Sequence, residues 1–446
     1  MVLAGKKVLV VGMGASGAAA ARLCLARGAE VRFTDKATAP PAAAGLAELG
    51  ATPRLGGHDP ADFLWAELIV LSPGVDHRLP EVAAAARNGA EVIGEMELGF
   101  RFLRPPAVMI TGTNGKSTVT SLIAAMLEAE GLRAFAGGNL GTPLCAYVAG
   151  AQDDDWAVLE VSSFQTDTAV SLRPKVGVIL NITDDHLDRY DSFEQYAQSK
   201  FRLLANQAEG DVAVLCADDP EVAARLGLAP ASVWLYGAAN DHRPGGRLEN
   251  QRLALELPGR RLIKLDASRS RLWGGFNKLN ILAAGLAAAA CGVSAQAMQR
   301  AIDEFQPLGH RLALVAERDG VAWYDDSKGT NVGAVQAALE ALARPAVLLL
   351  GGRDKDGRFA LLAPQLAAWA RLVICFGEAG ASIAGQIEGL AERQVVADLP
   401  AAVTLAAQEA KPGDVVLLSP GCASFDAYAG YAMRGDHFRR LVAELN

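Results

Sequence analysis

Short apolar runs alternate with longer Ala- and Leu-rich runs along nearly the whole chain. That alternation is the pattern of strands and helices in α/β layers built on mostly parallel sheets. It predicts strands at Lys7–Val11, Glu30–Thr34, Leu68–Leu71 and Glu91–Ile93, each ending in a Gly, Asp or Pro turn, and a first unit closing near Leu98. The pattern restarts after Pro105-Pro106, a linker candidate because proline cannot continue a helix. Strands at Val108–Ile110, Ala157–Val161, Val176–Leu180 and Val212–Cys216 follow, then hairpins and loops from Ala238 to Asp266 and helices at Asn280–Cys291 and Ser294–Phe305. QPLGHR breaks the pattern again. A hairpin turned by RDG (Leu312–Glu317 with Val321–Tyr324) opens a third unit, with strands at Ala346–Leu350, Leu372–Phe376 and Val415–Leu418 and a closing helix near Tyr431–Leu445. The expected organisation is three α/β domains, over residues 1–98, 99–305 and 306–446.

Composition narrows the function classes. The length of 446 residues and the 51% hydrophobic content suit several domains with real cores. A net charge of −8, spread without a basic block, argues against nucleic acid and against a polybasic membrane surface. Small anionic ligands stay open, because a local cluster of donors binds them whatever the net charge. The six cysteines (Cys24, Cys145, Cys216, Cys291, Cys375, Cys422) are scattered, with no C-x-x-C pair, which fits buried thiols in a reducing compartment. MVLAGKKVLVVG lacks the apolar core of a signal peptide, and the longest apolar run, Ile281 to Val293, falls short of the ~20 residues of a membrane span. A cytoplasmic protein without membrane insertion is expected.

Two glycine loops carry the candidate chemistry. In the first, Gly12-x-Gly14-x-x-Gly17 follows a strand and leads into a helix, and Asp35 ends the next strand at the spacing of a ribose-binding acid. Such glycines let the backbone approach a diphosphate at a helix N-terminus. The same loop also suits a tight βα turn whose glycines serve packing alone. The second, Gly112-Thr113-Asn114-Gly115-Lys116-Ser117-Thr118, lacks the leading glycine of the strict phosphate loop, since Ile110 stands there. Its backbone N–H groups can still cradle phosphates, Lys116 can neutralise them, and Ser117 or Thr118 can reach Mg²⁺. The second loop would hold a triphosphate and the first a diphosphate carried by another substrate.

Glu160 sits in an otherwise apolar strand, and Asn181, Asp184, Asp185 and His186 lie just past a strand end, where α/β sheets bind ligands. Taken singly, Glu160 reads as an edge or salt-bridge residue and His186 as a packed or exposed one. Beside the phosphate loop they read as metal and substrate ligands.

TGTNGKST, LEVSSFQ, NITDDHLDRY, GFNKLN and YDDSKGTN, in that order, resemble the ATP-dependent Mur ligases of peptidoglycan assembly over nearly the whole chain. DDSKGTN and SPGCASFD are most similar to the members that add D-glutamate. The resemblance implies an α/β protein with a Rossmann-like N-terminal domain, a central P-loop-type ATP-binding domain and a Rossmann-like C-terminal domain. Its implied substrates are ATP, UDP-N-acetylmuramoyl-L-alanine and D-glutamate, with two Mg²⁺ ions and a monomeric enzyme. Gly14, Ala15, Ser16, Asp35, Ser72, Pro73 and Gly74 would bind the uridine diphosphate, and Asn139 and Ser162 would line the path of the sugar substrate. Gly112 to Thr118 would bind ATP, with Asn277 and Asn280 on the adenine side and His310, Arg311 and Asp326 reaching it from the third domain. Ser117, Glu160, His186 and a carbamylated Lys200 would hold magnesium, with Lys116, His186 and Lys200 as the catalytic set. Lys328, Thr330, Lys355, Ser424 and Tyr431 would bind D-glutamate. Tyr431 departs from the more usual phenylalanine. The plain alternatives are an ordinary helix-surface lysine for Lys200, surface charges for Lys328 and Lys355, and a helix N-terminal turn for GFNKLN.

An amide formed in water needs an activated acyl group, which ATP cleavage supplies as an acyl phosphate. A folylpolyglutamate-synthetase-like ligase would share the central domain but not the N-terminal glycine loop. A nicotinamide-dependent dehydrogenase would leave the second loop without a role. A non-catalytic nucleotide-binding module would not need the third-domain lysines.

Overall fold

The computed structural model describes residues 1–186, 189–239, 241–250, 252–272 and 274–445. Five parallel strands form the first sheet: β1 (Lys7–Val11), β2 (Glu30–Asp35), β3 (Thr52–Leu55), β4 (Leu68–Leu71) and β5 (Glu91–Gly94), in the order β3-β2-β1-β4-β5. Strand order reverses between β1 and β4. The loops leaving those two strands therefore diverge around a crevice at the C-terminal edge of the sheet.

The second sheet holds β6 (Ala107–Thr111), β7 (Ala134–Gly138), β8 (Trp156–Glu160), β9 (Val176–Ile179), β10 (Val212–Cys216), β11 (Ser232–Gly237), β12 (Gly245–Glu249), β13 (Arg252–Leu257) and β14 (Arg261–Asp266). Its order is β14-β13-β12-β11-β10-β9-β6-β8-β7, parallel from β7 through β12 and antiparallel beyond. Here β6 is the switch point, flanked by β8 and β9. The loops after β6, β8 and β9 therefore emerge side by side.

The third sheet is β15 (Ala313–Arg318), β16 (Val321–Asp325), β17 (Ala346–Gly351), β18 (Ala370–Phe376), β19 (Arg393–Val395) and β20 (Val415–Leu418), ordered β15-β16-β20-β17-β18-β19. All its neighbours are parallel except the β15–β16 hairpin. Its apolar runs are continuous because both faces are covered. Ala346, Leu348 and Leu350 of β17 pack into one cluster with Val335, Leu339 and Ile383. Val347 and Leu349 enter the opposite one with Leu399, Val403 and Phe438. Each such aliphatic side chain contributes about 1.5–3 kcal/mol by leaving water.

One apolar cluster runs through Val8 and Val10 of β1, Met96, Leu98, Met109 of β6, Leu144, Cys145 and Leu159 of β8. Pro105-Pro106 thus separates two sheets without separating their cores. The chain falls into two compact units. Met1–Asn181, Glu194–Ser268 and Asn280–Asp303 make the first; Ile182–Phe193, Arg269–Leu279 and the chain from Glu304 make the second. The segment Ile182–Phe193 therefore groups with the third sheet rather than the second.

Candidate active site

At the crevice of the first sheet, Gly14 caps the helix Ala15–Ala26, whose first turn contains Ser16. The unpaired N–H groups of such a turn favour an anion. Asp35 closes β2 and accepts hydrogen bonds from Met13 N (2.6 Å) and Ala37 N (2.8 Å), so its carboxylate pins the glycine loop to the neighbouring strand end. Buried Ser72, which follows β4, donates through Oγ to Gly12 O at 2.8 Å and ties the loops of β1 and β4 together. Pro73 and Gly74 continue that loop.

In the second sheet, β6 runs into Gly112–Gly115 and then the helix Lys116–Ala129. Gly115 has φ +88°, and a Cβ there would stand 2.5 Å from Asn280 Oδ1, so the position requires glycine and Asn280 lies against the loop. Asn181, just past β9, clamps the loop: its Nδ2 donates to Asn114 O (3.0 Å), its Oδ1 accepts from Asn114 N (2.8 Å), and its carbonyl accepts from Thr113 N (2.8 Å). Tyr196 Oη and Thr113 Oγ1 share a hydrogen bond of 2.9 Å. Lys116 Nζ donates to Gly112 O (2.9 Å) and Thr113 O (2.8 Å). Lys200 Nζ donates to the same Gly112 carbonyl at 3.0 Å and sits 4.4 Å from the Tyr196 ring centre. At 2% exposure, Lys200 is not a surface lysine. Two ammonium groups therefore meet at one carbonyl beside the loop.

Glu160 ends β8, an interior strand between β6 and β7, which removes the edge-strand explanation for it. It is buried, and its Oε1 accepts from Asn139 Nδ2 at 2.8 Å. Ser162 caps the helix Ser163–Asp167 in a reciprocal box with Gln165. Ser117 and Thr118 are buried in the first turn of their helix. Ser117, Glu160 and Lys200 thus lie in the first unit, whereas His186 belongs to the second with Ile182–Phe193. Among the described residues no three His, Cys, Asp or Glu side chains converge on a metal position.

The second unit gathers the expected amino-acid residues around Asp184 and Asp185. Lys355 Nζ donates to Asp185 Oδ1 at 2.6 Å, and Asn331 Nδ2 donates to its Oδ2 at 3.2 Å. Arg358 pairs with Asp184. His186 has φ +56° and donates its backbone N–H to Asp185 Oδ1 at 3.0 Å. These aspartates, with Thr330, Asn331, Asp354, Lys355, Asp356 and Arg358, line a small cleft. Lys328 Nζ lies 4.0 Å from the centre of the Tyr431 ring, and the His310 ring meets Tyr431 edge-on at 6.2 Å. A phenyl ring would serve the ammonium equally, so the tyrosine keeps this packing. Ser424 is buried in the loop after β20. His310 bonds through Nδ1 to Asp325 Oδ2 at 2.7 Å. Asp326 accepts from Ser419 Oγ (2.7 Å) and Leu312 N (3.1 Å). Burial nonetheless pushes its carboxyl up to about 7, with the Ser419 hydrogen bond and the charge of Arg311 acting the other way. Asn277 and Asn280 share the helix Gly275–Ala290, Asn277 in the second unit and Asn280 in the first.

Asn331, Arg358 and Tyr196 do not figure among the sequence candidates. Asn331 is the last residue of YDDSKGTN, and Arg358 lies three positions past Lys355. Tyr196 carries no sequence signal, since only the fold brings it to Thr113.

Two sheets thus carry glycine loops of the nucleotide-binding type, and the third carries a cleft in which Lys355 and Arg358 stand among Asp184, Asp185, Asp354 and Asp356, a set of parts that would suit a ligase of a nucleotide-linked acid and an amino acid. Three family models match in chain order: a Mur ligase MurD-like N-terminal domain over residues 6–94, a Mur ligase middle domain over 110–288, and a Mur ligase glutamate ligase domain over 310–422. The chain belongs to the Mur ligase family. It is 43% identical to the UDP-N-acetylmuramoylalanine–D-glutamate ligase of Desulfatibacillum aliphaticivorans, with 100% of each chain covered. To the enzyme of the same name from Anaeromyxobacter dehalogenans it is 44% identical over 99% of this chain and 98% of that one. Its fold resembles a pseudomurein peptide ligase type C from Methanothermus fervidus, with a TM-score of 0.61 at 20% identity over 99% and 100% of the two chains.

Proposed function

We propose that the protein joins D-glutamate to UDP-N-acetylmuramoyl-L-alanine in peptidoglycan precursor synthesis, converting ATP to ADP and phosphate. The carboxylate of the UDP-linked substrate attacks the γ-phosphorus, ADP leaves, and an acyl phosphate forms. The D-glutamate amine then attacks the acyl carbon and phosphate departs. The observation that carries this reading is the pair of lysines, Lys116 and Lys200, on the Gly112 carbonyl of a strand–loop–helix. A triphosphate bound there would draw Lys116 from the carbonyls it now holds, and the loop N–H groups would bind phosphate oxygens.

The donor chemistry fits magnesium: a buried carboxylate (Glu160) and a buried hydroxyl (Ser117) are hard oxygens. His186 and a carbamylated Lys200 would complete the set for two ions. Bound there, Mg²⁺ would supply charge neutralisation at the transferred phosphoryl group. Carbamylation would turn Lys200 from a cation into an anion. It would relieve the repulsion between two ammonium groups sharing one carbonyl.

On the first sheet, the Gly14–Ser16 turn would bind the diphosphate, with Asp35 and Ser72 holding the loops in register. On the third, Lys328, Thr330, Lys355, Ser424 and Tyr431 would bind D-glutamate. His310, Arg311, Asp326, Asn277 and Asn280 would meet ATP. We take domains over 1–98, 99–305 and 306–446, acting as a monomer in the cytoplasm. Six unpaired cysteines suit that reducing compartment, and no helix among the described residues is long and apolar enough to cross a membrane.

Phosphate release with ATP, UDP-N-acetylmuramoyl-L-alanine and a panel of D- and L-amino acids tests this function. D-glutamate alone should support rapid release. Release that ignores the amino acid would rule the function out.

A further inference from the structure

Among the described residues Arg434 is the largest fully buried side chain, 1% exposed, in the first turn of the helix Tyr431–Glu444. A guanidinium has five N–H donors, and all five are used here. Nε donates to Ser327 Oγ (3.0 Å). Nη1 donates to Gly351 O (3.3 Å) and Ala423 O (3.3 Å). Nη2 donates to Ser327 O (2.9 Å) and Cys422 O (3.0 Å). Among the described residues no carboxylate accepts a hydrogen bond from it. Burial lowers the guanidinium to about 10, so it stays charged at neutral pH.

The acceptors come from the loops that carry the candidate amino-acid site. Ser327 precedes Lys328 and Thr330, Gly351 opens the loop to Lys355, and Cys422 and Ala423 precede Ser424. Ser327 Oγ in turn donates to Tyr431 O at 2.8 Å. The second and third loops are also zipped together, Arg353 N to Ala423 O (2.8 Å) and Ala423 N to Arg353 O (2.9 Å). Between them the packing is tight. Gly352 has φ +128°, and a Cβ there would lie 2.3 Å from Ala423 O and 2.9 Å from Arg434 Nη1.

We infer that Arg434 is the positioning residue of the amino-acid site, holding the loops of Lys328, Lys355 and Ser424 at fixed spacing by their carbonyl groups. The inference rests on the D-glutamate reading above. It assigns Arg434 no contact with substrate. A buried cation without a carboxylate partner is costly, and here loop dipoles offset the cost, so the loops and the arginine order one another. Lysine offers three donors on a mobile stem and cannot span the three loops.

The test is steady-state kinetics on the full chain, with each substrate varied, for Arg434→Lys, Lys355→Ala and the double variant. Arg434→Lys should raise the KM for D-glutamate by about tenfold or more, with the KM for the UDP-sugar within about twofold of the parent. In the double variant the two effects should combine to less than their product, because Arg434 acts partly through the Lys355 loop. Equal changes in both KM values, or full multiplicativity, would overturn the inference. If Arg434→Lys is not recovered folded, Ser327→Ala is read in the same way, and an unchanged D-glutamate KM there overturns it. Absence of D-glutamate-dependent phosphate release in the unmodified protein would instead refute the activity, and the inference with it.

Discussion

Lys355 Nζ lies 2.6 Å from Asp185 Oδ1, so the lysine expected to hold the amino-acid substrate already holds a carboxylate of its own chain. Beside it Arg358 pairs with Asp184. Two adjacent aspartates thus present to two cations what a dicarboxylic amino acid would present. If D-glutamate binds at Lys355, its entry would exchange one carboxylate for another there.

Lys355→Ala should therefore raise the KM for D-glutamate by roughly 10- to 100-fold, the loss of a charge-assisted hydrogen bond worth ~1.5–3 kcal/mol. The KM for the UDP-sugar should stay put. A shift in the UDP-sugar KM with D-glutamate spared would place Lys355 elsewhere in the reaction.

Lys200→Ala should lose most ligation activity, since Lys200 is buried against the phosphate loop, 3.0 Å from Gly112 O. If a carbamate acts there, short carboxylic acids should restore part of the activity by supplying the missing oxygens. Full activity of the variant without added acid would refute a metal-ligand role for Lys200.

Asp35→Ala frees Met13 N and Ala37 N and unpins the first glycine loop. The KM for the UDP-sugar should rise while those for ATP and D-glutamate hold. Weakened ATP binding with the UDP-sugar unaffected would reverse the division of labour between the two glycine loops.

Glu95 offers a pH test remote from the chemistry. Its Oε1 accepts from Cys145 N at 2.7 Å, its Oε2 is buried without a hydrogen-bond partner, and burial pushes the carboxyl from 4.5 up to about 7. The folded state thus favours the protonated acid. That stabilisation is complete below the unfolded value and is lost as pH rises through about 7. Glu95→Gln cannot ionise, so its stability relative to the parent should grow between these limits, by at most about 3 kcal/mol. Parallel melting-temperature curves across that range would contradict the shifted carboxyl.

Periodicity makes most of the strands legible, because β1, β4, β6, β17 and β20 are buried on both faces and read as plain apolar runs. TPRL (β3) and RQV (β19) are exposed edge strands with little apolar signal, and AFAGG (β7) is an edge strand diluted by glycine. SVWLYG (β11) is buried, and its apolar signal is plain although the expected strands omit it. The phosphate loop is legible because glycine, lysine and hydroxyl must be adjacent in sequence to act together. Partners supplied from afar are not: Tyr196 reaches Thr113, and Arg434 reaches three loops, only through the fold. Asp185 was legible as a residue past a strand end, but its pairing with Lys355 bridges a separation of 170 positions that no local pattern records.

The acyl phosphate is the step on which the whole mechanism depends, and an isotope can follow it. In that step a carboxylate oxygen of UDP-N-acetylmuramoyl-L-alanine becomes bonded to phosphorus. When the D-glutamate amine attacks the acyl carbon, the carbon–oxygen bond breaks and that oxygen leaves with the phosphate. With the carboxylate labelled in ¹⁸O, mass spectrometry of the released phosphate should find one labelled oxygen per phosphate formed. Phosphate without label, released in step with amide product, would contradict activation through an acyl phosphate.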